Sequence, residues 1–194
     1  MLLYIKPIIL ALTAVIPSAD VLVQQCLDGD TSAYRALYDR YSRAMFNTAL
    51  RIVNRVPDAE DILQDAFTDA FMQLKSFENK STFGAWLKQI VVYKSLNFLK
   101  RQRTSLIDIE NIGDTPDEMT DDESLWYTVD TIRQSIQDLP DGYRTVLSLY
   151  LFEGYDHEEI AEILKVTHST VRTQYIRAKQ KLVNLLKIRA ANEQ

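Results

Sequence analysis

Apolar residues recur along the chain in steps of three and four, the spacing of a helix that buries one face. From Val21 to about Arg55 they fall at Tyr34, Leu37, Tyr38, Tyr41, Met45, Ala49, Ile52 and Val53, which predicts one long amphipathic helix. Pro57 is expected to stop it, with Asp58 as N-cap of the next helix and Asp61 in a capping-box-like position. That second helix, about 59–75, puts Ile62, Leu63, Ala66, Phe67, Ala70, Phe71 and Leu74 on one face and Glu60, Asp61, Gln64, Asp65 and Asp69 on the other. A third, about 82–102, is capped by Ser81 or Thr82 and led by Phe83, Trp86, Leu87, Ile90 and Val91. Periodicity then fails over 104–124, a stretch rich in Asp, Glu, Ser and Thr with Gly113 and Pro116, which reads as a flexible linker between two domains. Beyond it come helices at 125–138, ending before Pro140; at about 141–153, closed by Gly154; at 157–164, capped by Asp156; and at 168–187. The fold class expected is all-α, a helical bundle and a smaller helical domain, with an N-terminal extension over 1–20, the first domain over 21–103, the second over 125–187 and a tail over 188–194.

Composition supports this. Five Gly and five Pro in 194 residues are too few for a turn-rich β architecture, and 46% hydrophobic residues suffice for a core. One Cys and two His exclude a disulfide framework and a four-ligand Cys/His zinc site. The apolar run Ile8–Ile16 has nine residues, too short to span a bilayer. As a secretory signal it would need cleavage after Ala19, and Pro17 at the −3 place breaks the small-x-small rule; the expected location is the cytoplasm.

Net charge is −5, which taken whole speaks against a nucleic-acid partner. Its distribution reverses that. Residues 1–87 carry −2, 88–103 carry +5 without an acid, 104–124 carry −8 without a base, 125–164 carry −6 and 165–194 carry +6. Two basic helices are thus hidden in an acidic average. A charge run is commonly just a solvated helix face, so further signal is needed.

That signal is the segment from His157 to Arg172, which has helix-turn-helix spacing. Ile160 and Leu164 face inward, small Ala161 lets the helices approach, Val166 plugs the turn and Val171 packs the second helix back. Ser169, Thr170, Arg172 and Thr173, then Arg177 and Lys179, remain outward, groups suited to phosphates and base edges in a major groove. A Gly normally eases the turn where Lys165 stands; a left-handed Lys there costs about 1 kcal/mol.

With these motifs in order, residues 31–187 resemble a sigma factor of the extracytoplasmic-function group, within the sigma-70 family of bacterial transcription initiation factors. Tyr34 to Val53 is similar to the family's opening helix, Asp58-Ala59-Glu60-Asp61-Ile62-Leu63-Gln64-Asp65-Ala66-Phe67 to its polymerase-binding signature, and Phe83-Gly84-Ala85-Trp86-Leu87 to the start of its promoter-melting helix. Leu139-Pro140, the helix-turn-helix and Arg177-Ala178-Lys179 resemble its C-terminal domain.

The resemblance implies that Asp58, Glu60, Asp61, Gln64 and Asp65 dock on the clamp helices of the largest subunit of core RNA polymerase. It implies that Lys94, Asn97, Lys100, Arg101 and Arg103 hold the −10 promoter element as it opens, and that the last helix reads the −35 element. The family has Asn where this chain has Tyr93 and Asp where it has Asn97, so no base-specific contact is carried over there. An anti-sigma factor is a partner class common in the family. No enzyme activity, cofactor or metal is expected: the acidic cluster lacks His, and no Gly-rich phosphate loop occurs. The competing reading is a helix-turn-helix regulator acting without core polymerase, which would need a ligand or phosphoacceptor domain that 21–103 does not suggest.

Overall fold

The computed structural model describes residues 17–102 and 127–192. The expected extension (apart from 17–20), the linker 104–124 and Arg103 lie outside them. Among the described residues there are eight α-helices and one 3-10 turn: α1 (Ala19–Leu27), α2 (Thr31–Val53), α3 (Val56–Met72), the turn Leu74–Ser76, α4 (Phe83–Gln102), α5 (Val129–Gln137), α6 (Asp141–Leu151), α7 (His157–Leu164) and α8 (His168–Asn192). None of these helices is long and apolar enough to cross a membrane.

The long helix expected over Val21 to Arg55 is two helices. Gly29 takes φ +93 and Asp30 then caps α2, its side chain accepting from the Ser32 backbone N–H at 2.8 Å. The second expected boundary also moves. Asn54, left-handed at φ 59, closes α2, and α3 starts at Val56 with Pro57 in its first turn, where a missing N–H costs nothing. Asp58 is therefore not an N-cap; it lies inside the first turn and pairs with Arg55 at 3.3 Å. The last helix runs on to Asn192, through residues expected to be tail.

Helices α1 to α4 bury Leu37, Ile52, Phe83, Leu87 and Val91 completely, each contributing about 1.5–3 kcal/mol. Gly84 permits the close approach of α4 to α2, because a Cβ there would meet the Tyr41 ring at 2.7 Å. Cys26 is buried in the same core, and burial pushes its thiol up, which makes it an inert packing residue. Helices α5, α6 and α8 build a second cluster around Leu139, Tyr143, Leu147 and Ala178.

The two halves do not stand apart. α6 packs against α2, and Val146, Leu149, Ile160, Ala161, Ile163 and Val171 of the second half join the apolar cluster of the first. Arg144, 3% exposed, reaches across to the Ile52 carbonyl at 3.3 Å while also donating to the Leu139 carbonyl at 2.7 Å and the Asp141 carboxylate at 2.6 Å. It places a cation at the carbonyl end of α2, where the helix dipole favours one.

Candidate nucleic-acid and polymerase interfaces

α3 separates its charges from its apolar side chains by face. Ala59, Ile62, Leu63, Ala66, Phe67 and Ala70 are buried, and Glu60, Asp61, Gln64 and Asp65 are exposed. Asp58 is set apart, its side chain only 14% exposed and turned to Arg55. Glu60, Asp61 and Asp65, with Gln64 among them, form an acidic strip, and among the described residues no ion pair engages it. Among the described residues no group of His, Cys, Asp and Glu could hold a metal ion.

α4 buries Val91, Val92, Ser95, Leu96 and Leu99, leaving Asn97, Lys100 and Arg101 exposed. Lys94 differs: its ammonium bonds the Asp69 carboxylate of α3 at 2.6 Å, so part of its charge is already balanced. Trp86 is half-buried, its ring 5.1 Å from Phe77 and 5.8 Å from Phe83, a packing position rather than a free stacking platform.

The helix-turn-helix is held at both corners. Asp156 accepts from the Glu158 and Glu159 N–H groups at 2.8 Å, and Glu159 returns the bond to the Asp156 N–H, a full capping box for α7. Lys165 closes α7 in the left-handed conformation, φ 58 and ψ 45. Thr167 then accepts from the Thr170 N–H at 3.2 Å and opens α8. Val171, Gln174 and Ala178 face inward, and Ser169, Arg172, Thr173 and Lys179 are exposed, with Thr170 and Arg177 half-buried. Val166 does not plug the turn: it is 39% exposed and, with Leu164, lines a cavity of about 180 Å³ shared with Leu96, Leu99 and Lys100 of α4. The His157 ring lies 4.9 Å from Tyr150 and 5.1 Å from Tyr175.

Sequence reasoning missed the contact that joins the halves. Glu153, 9% exposed in the loop after α6, accepts from Arg51 at 2.6 and 3.1 Å and from the Thr48 hydroxyl at 3.1 Å, both on α2. The Lys88 ammonium of α4 donates to the Glu153 backbone carbonyl at 2.7 Å and lies 5.0 Å over the Tyr155 ring. Tyr155 is pushed up to about 12 by burial and, after it, by the carboxylates of Glu153 and Glu159. Asn54 adds a bond to the Gln137 carbonyl at 2.9 Å. These partners lie 65 to 105 positions apart in sequence.

Both halves of the chain are similar to known proteins. Residues 37–104 match the family model for sigma-70 region 2 and residues 130–182 that for sigma-70 region 4. The chain is 32% identical to the ECF RNA polymerase sigma-E factor of Haemophilus influenzae over 84% of its own length and 92% of that protein's. It is 28% identical to the ECF sigma factor SigW of Bacillus subtilis over 82% of its length and 92% of SigW. In fold it is similar to the sigma factor RpoE of Bartonella quintana, solved with the anti-sigma factor NepR, at TM-score 0.55, 20% identity and 80% and 97% of the two chains. It is also similar in fold to CnrH, solved with the cytosolic domain of CnrY, at TM-score 0.54, 24% identity and 88% and 99% coverage.

Proposed function

The chain belongs to the extracytoplasmic-function sigma factors, transcription initiation factors that bind core RNA polymerase and direct it to promoters, and on that premise we propose how its residues divide the work. The exposed strip Glu60, Asp61, Gln64 and Asp65, flanked by Asp58, docks on the clamp helices of the largest polymerase subunit. A row of carboxylates steers a basic partner face into register and rejects acidic ones. Asn97, Lys100 and Arg101 hold the backbone of the −10 element as its strands separate, joined by Lys94 once Asp69 yields and by Arg103. Cations and base pockets favour the open strands because only unpaired bases can reach them. Ser169, Thr170, Arg172, Thr173, Arg177 and Lys179 place α8 in the major groove of the −35 element.

The observation that carries this reading is the segregation of charge by face: acids outward on α3, bases outward on α4 and α8, with apolar packing behind each. The protein acts in the cytoplasm with polymerase and has no reaction of its own. A helix-turn-helix regulator independent of polymerase would have no use for the α3 strip. An anti-sigma factor is a further partner, of the class solved with the similarly folded sigma factor of Bartonella quintana. Replacing Asp61 and Asp65 by Lys tests the assignment: copurification with core polymerase is expected to be lost, and undiminished association would remove α3 from the docking role.

A further inference from the structure

Lys88 is the first cation of the basic segment 88–103, and with Arg51 and Thr48 it has no part in the surfaces assigned above. These three donors come from α2 and α4, both in the half that carries the −10 surface, and they converge on one residue of the other half. Glu153 offers them two carboxylate oxygens and a carbonyl oxygen at 2.6–3.1 Å. A guanidinium, an ammonium and a hydroxyl gathered on closely spaced oxygens are the donor set that a backbone phosphate also satisfies.

The arrangement of the halves adds a second, independent observation. Lys100 on the −10 surface and Leu164 and Val166 at the helix-turn-helix line a single cavity. The −10 and −35 elements lie more than two helical turns apart, roughly 70 Å on B-form DNA at about 34 Å per turn. Halves packed against each other cannot hold elements that far apart at once. Binding a promoter therefore requires the halves to part, and parting withdraws Glu153 from its three donors.

We propose that Thr48, Arg51 and Lys88 form a binding site for a backbone phosphate of the promoter, and that Glu153 occupies it in the free protein as an internal phosphate mimic. Closure and promoter engagement then compete for the same donors, so the free chain is held off DNA by one of its own carboxylates. This rests on the assignment of α4 to the −10 element.

The test is binding of a dye-labelled single strand carrying a −10-type sequence to the free full-length protein, read by fluorescence anisotropy across a salt series. Glu153→Gln is expected to tighten binding about fivefold by raising the competent population, with the log–log salt slope unchanged because the bound state makes the same phosphate contacts. Adding Arg51→Ala to that variant should cancel the gain in affinity and flatten the slope by about 0.7, one phosphate's worth. Unchanged affinity in Glu153→Gln, or a gain and a slope that survive Arg51→Ala, would overturn the proposal. A measurement on the unaltered protein covers the case in which Glu153→Gln loosens the fold: saturation with the strand should raise the radius of gyration in small-angle scattering, and saturation without expansion would also overturn it. Lys100→Ala with Arg101→Ala reports separately on the underlying reading, since these changes lower affinity with or without Glu153→Gln if α4 holds the −10 strand.

Discussion

Replacing Arg144 by Met, which keeps the volume and deletes the guanidinium, isolates the polar component of the joint between the halves. The residue is 3% exposed and its guanidinium donates to four groups: the Leu139 carbonyl at 2.7 Å, the Asp141 carboxylate at 2.6 Å, the Gln137 carbonyl at a long 3.4 Å and, across the joint, the Ile52 carbonyl at 3.3 Å. A hydrogen bond to a charged group contributes about 1.5–3 kcal/mol, and the long bond to Ile52 falls at the bottom of that range or below. The Asp141 side chain is 26% exposed, so water recovers part of its solvation once the partner is gone. The loss is then about 2–4 kcal/mol, most of it from buried carbonyls left without donors rather than from the ion pair. At about 2–4 °C per kcal/mol for a chain of this size, the melting temperature should fall by roughly 5–15 °C. Urea and thermal unfolding followed by circular dichroism measure both, with Asp141→Asn as comparison, expected to cost less than about 1 kcal/mol. A loss under about 1 kcal/mol in Arg144→Met, or an equal loss in Asp141→Asn, would refute the assignment of the cost to the carbonyls.

Other consequences are more local. Asp156→Ala removes the side-chain arm of the α7 capping box, leaving the backbone N–H of residue 156 to the Glu159 carboxylate, and should destabilise the helix-turn-helix by about 1–2 kcal/mol, read by amide exchange in α7. Arg172→Ala and Arg177→Ala should weaken −35 binding across sequences and each flatten the salt slope by about 0.9 if they contact phosphate; a loss confined to certain base changes would mark base readout instead. Hydrogen bonds from the Ser32 hydroxyl and then its N–H hold the Asp30 carboxyl below its ordinary value. A carboxylate lowered on folding stabilises above its unfolded value and loses that contribution as pH falls through the folded one. Acid titration of stability should therefore show a shallower acid-side decline in Asp30→Asn than in the unaltered protein.

Where local rules decide structure, the sequence was legible. Asp156 announces α7 as its cap, and the apolar stripe of α3 fixes which acids point outward. The break between α1 and α2 was hidden because Leu22, Cys26, Ala33 and Leu37 stay in step across the Asp28-Gly29-Asp30 turn, so periodicity runs on where the backbone does not. Pro57 was misplaced by one step of logic: it stops a helix from its interior and starts one from its first turn. The joint between the halves left no local signal at all. Nothing in the pattern pairs Arg51 or Lys88 with Glu153, the last residue of the helix expected over 141–153, and only the tertiary fold brings them together, 102 and 65 positions apart in sequence. Val166 follows the same rule, its exposure set by a cavity against α4 rather than by its turn.

Run-off transcription with purified core polymerase tests the central claim most directly. With this chain added, discrete transcripts should start from a limited set of promoters in a genomic template, and their yield should collapse with Asp61→Lys and Asp65→Lys. Failure to direct initiation at any promoter, or initiation indifferent to those two substitutions, would contradict the account.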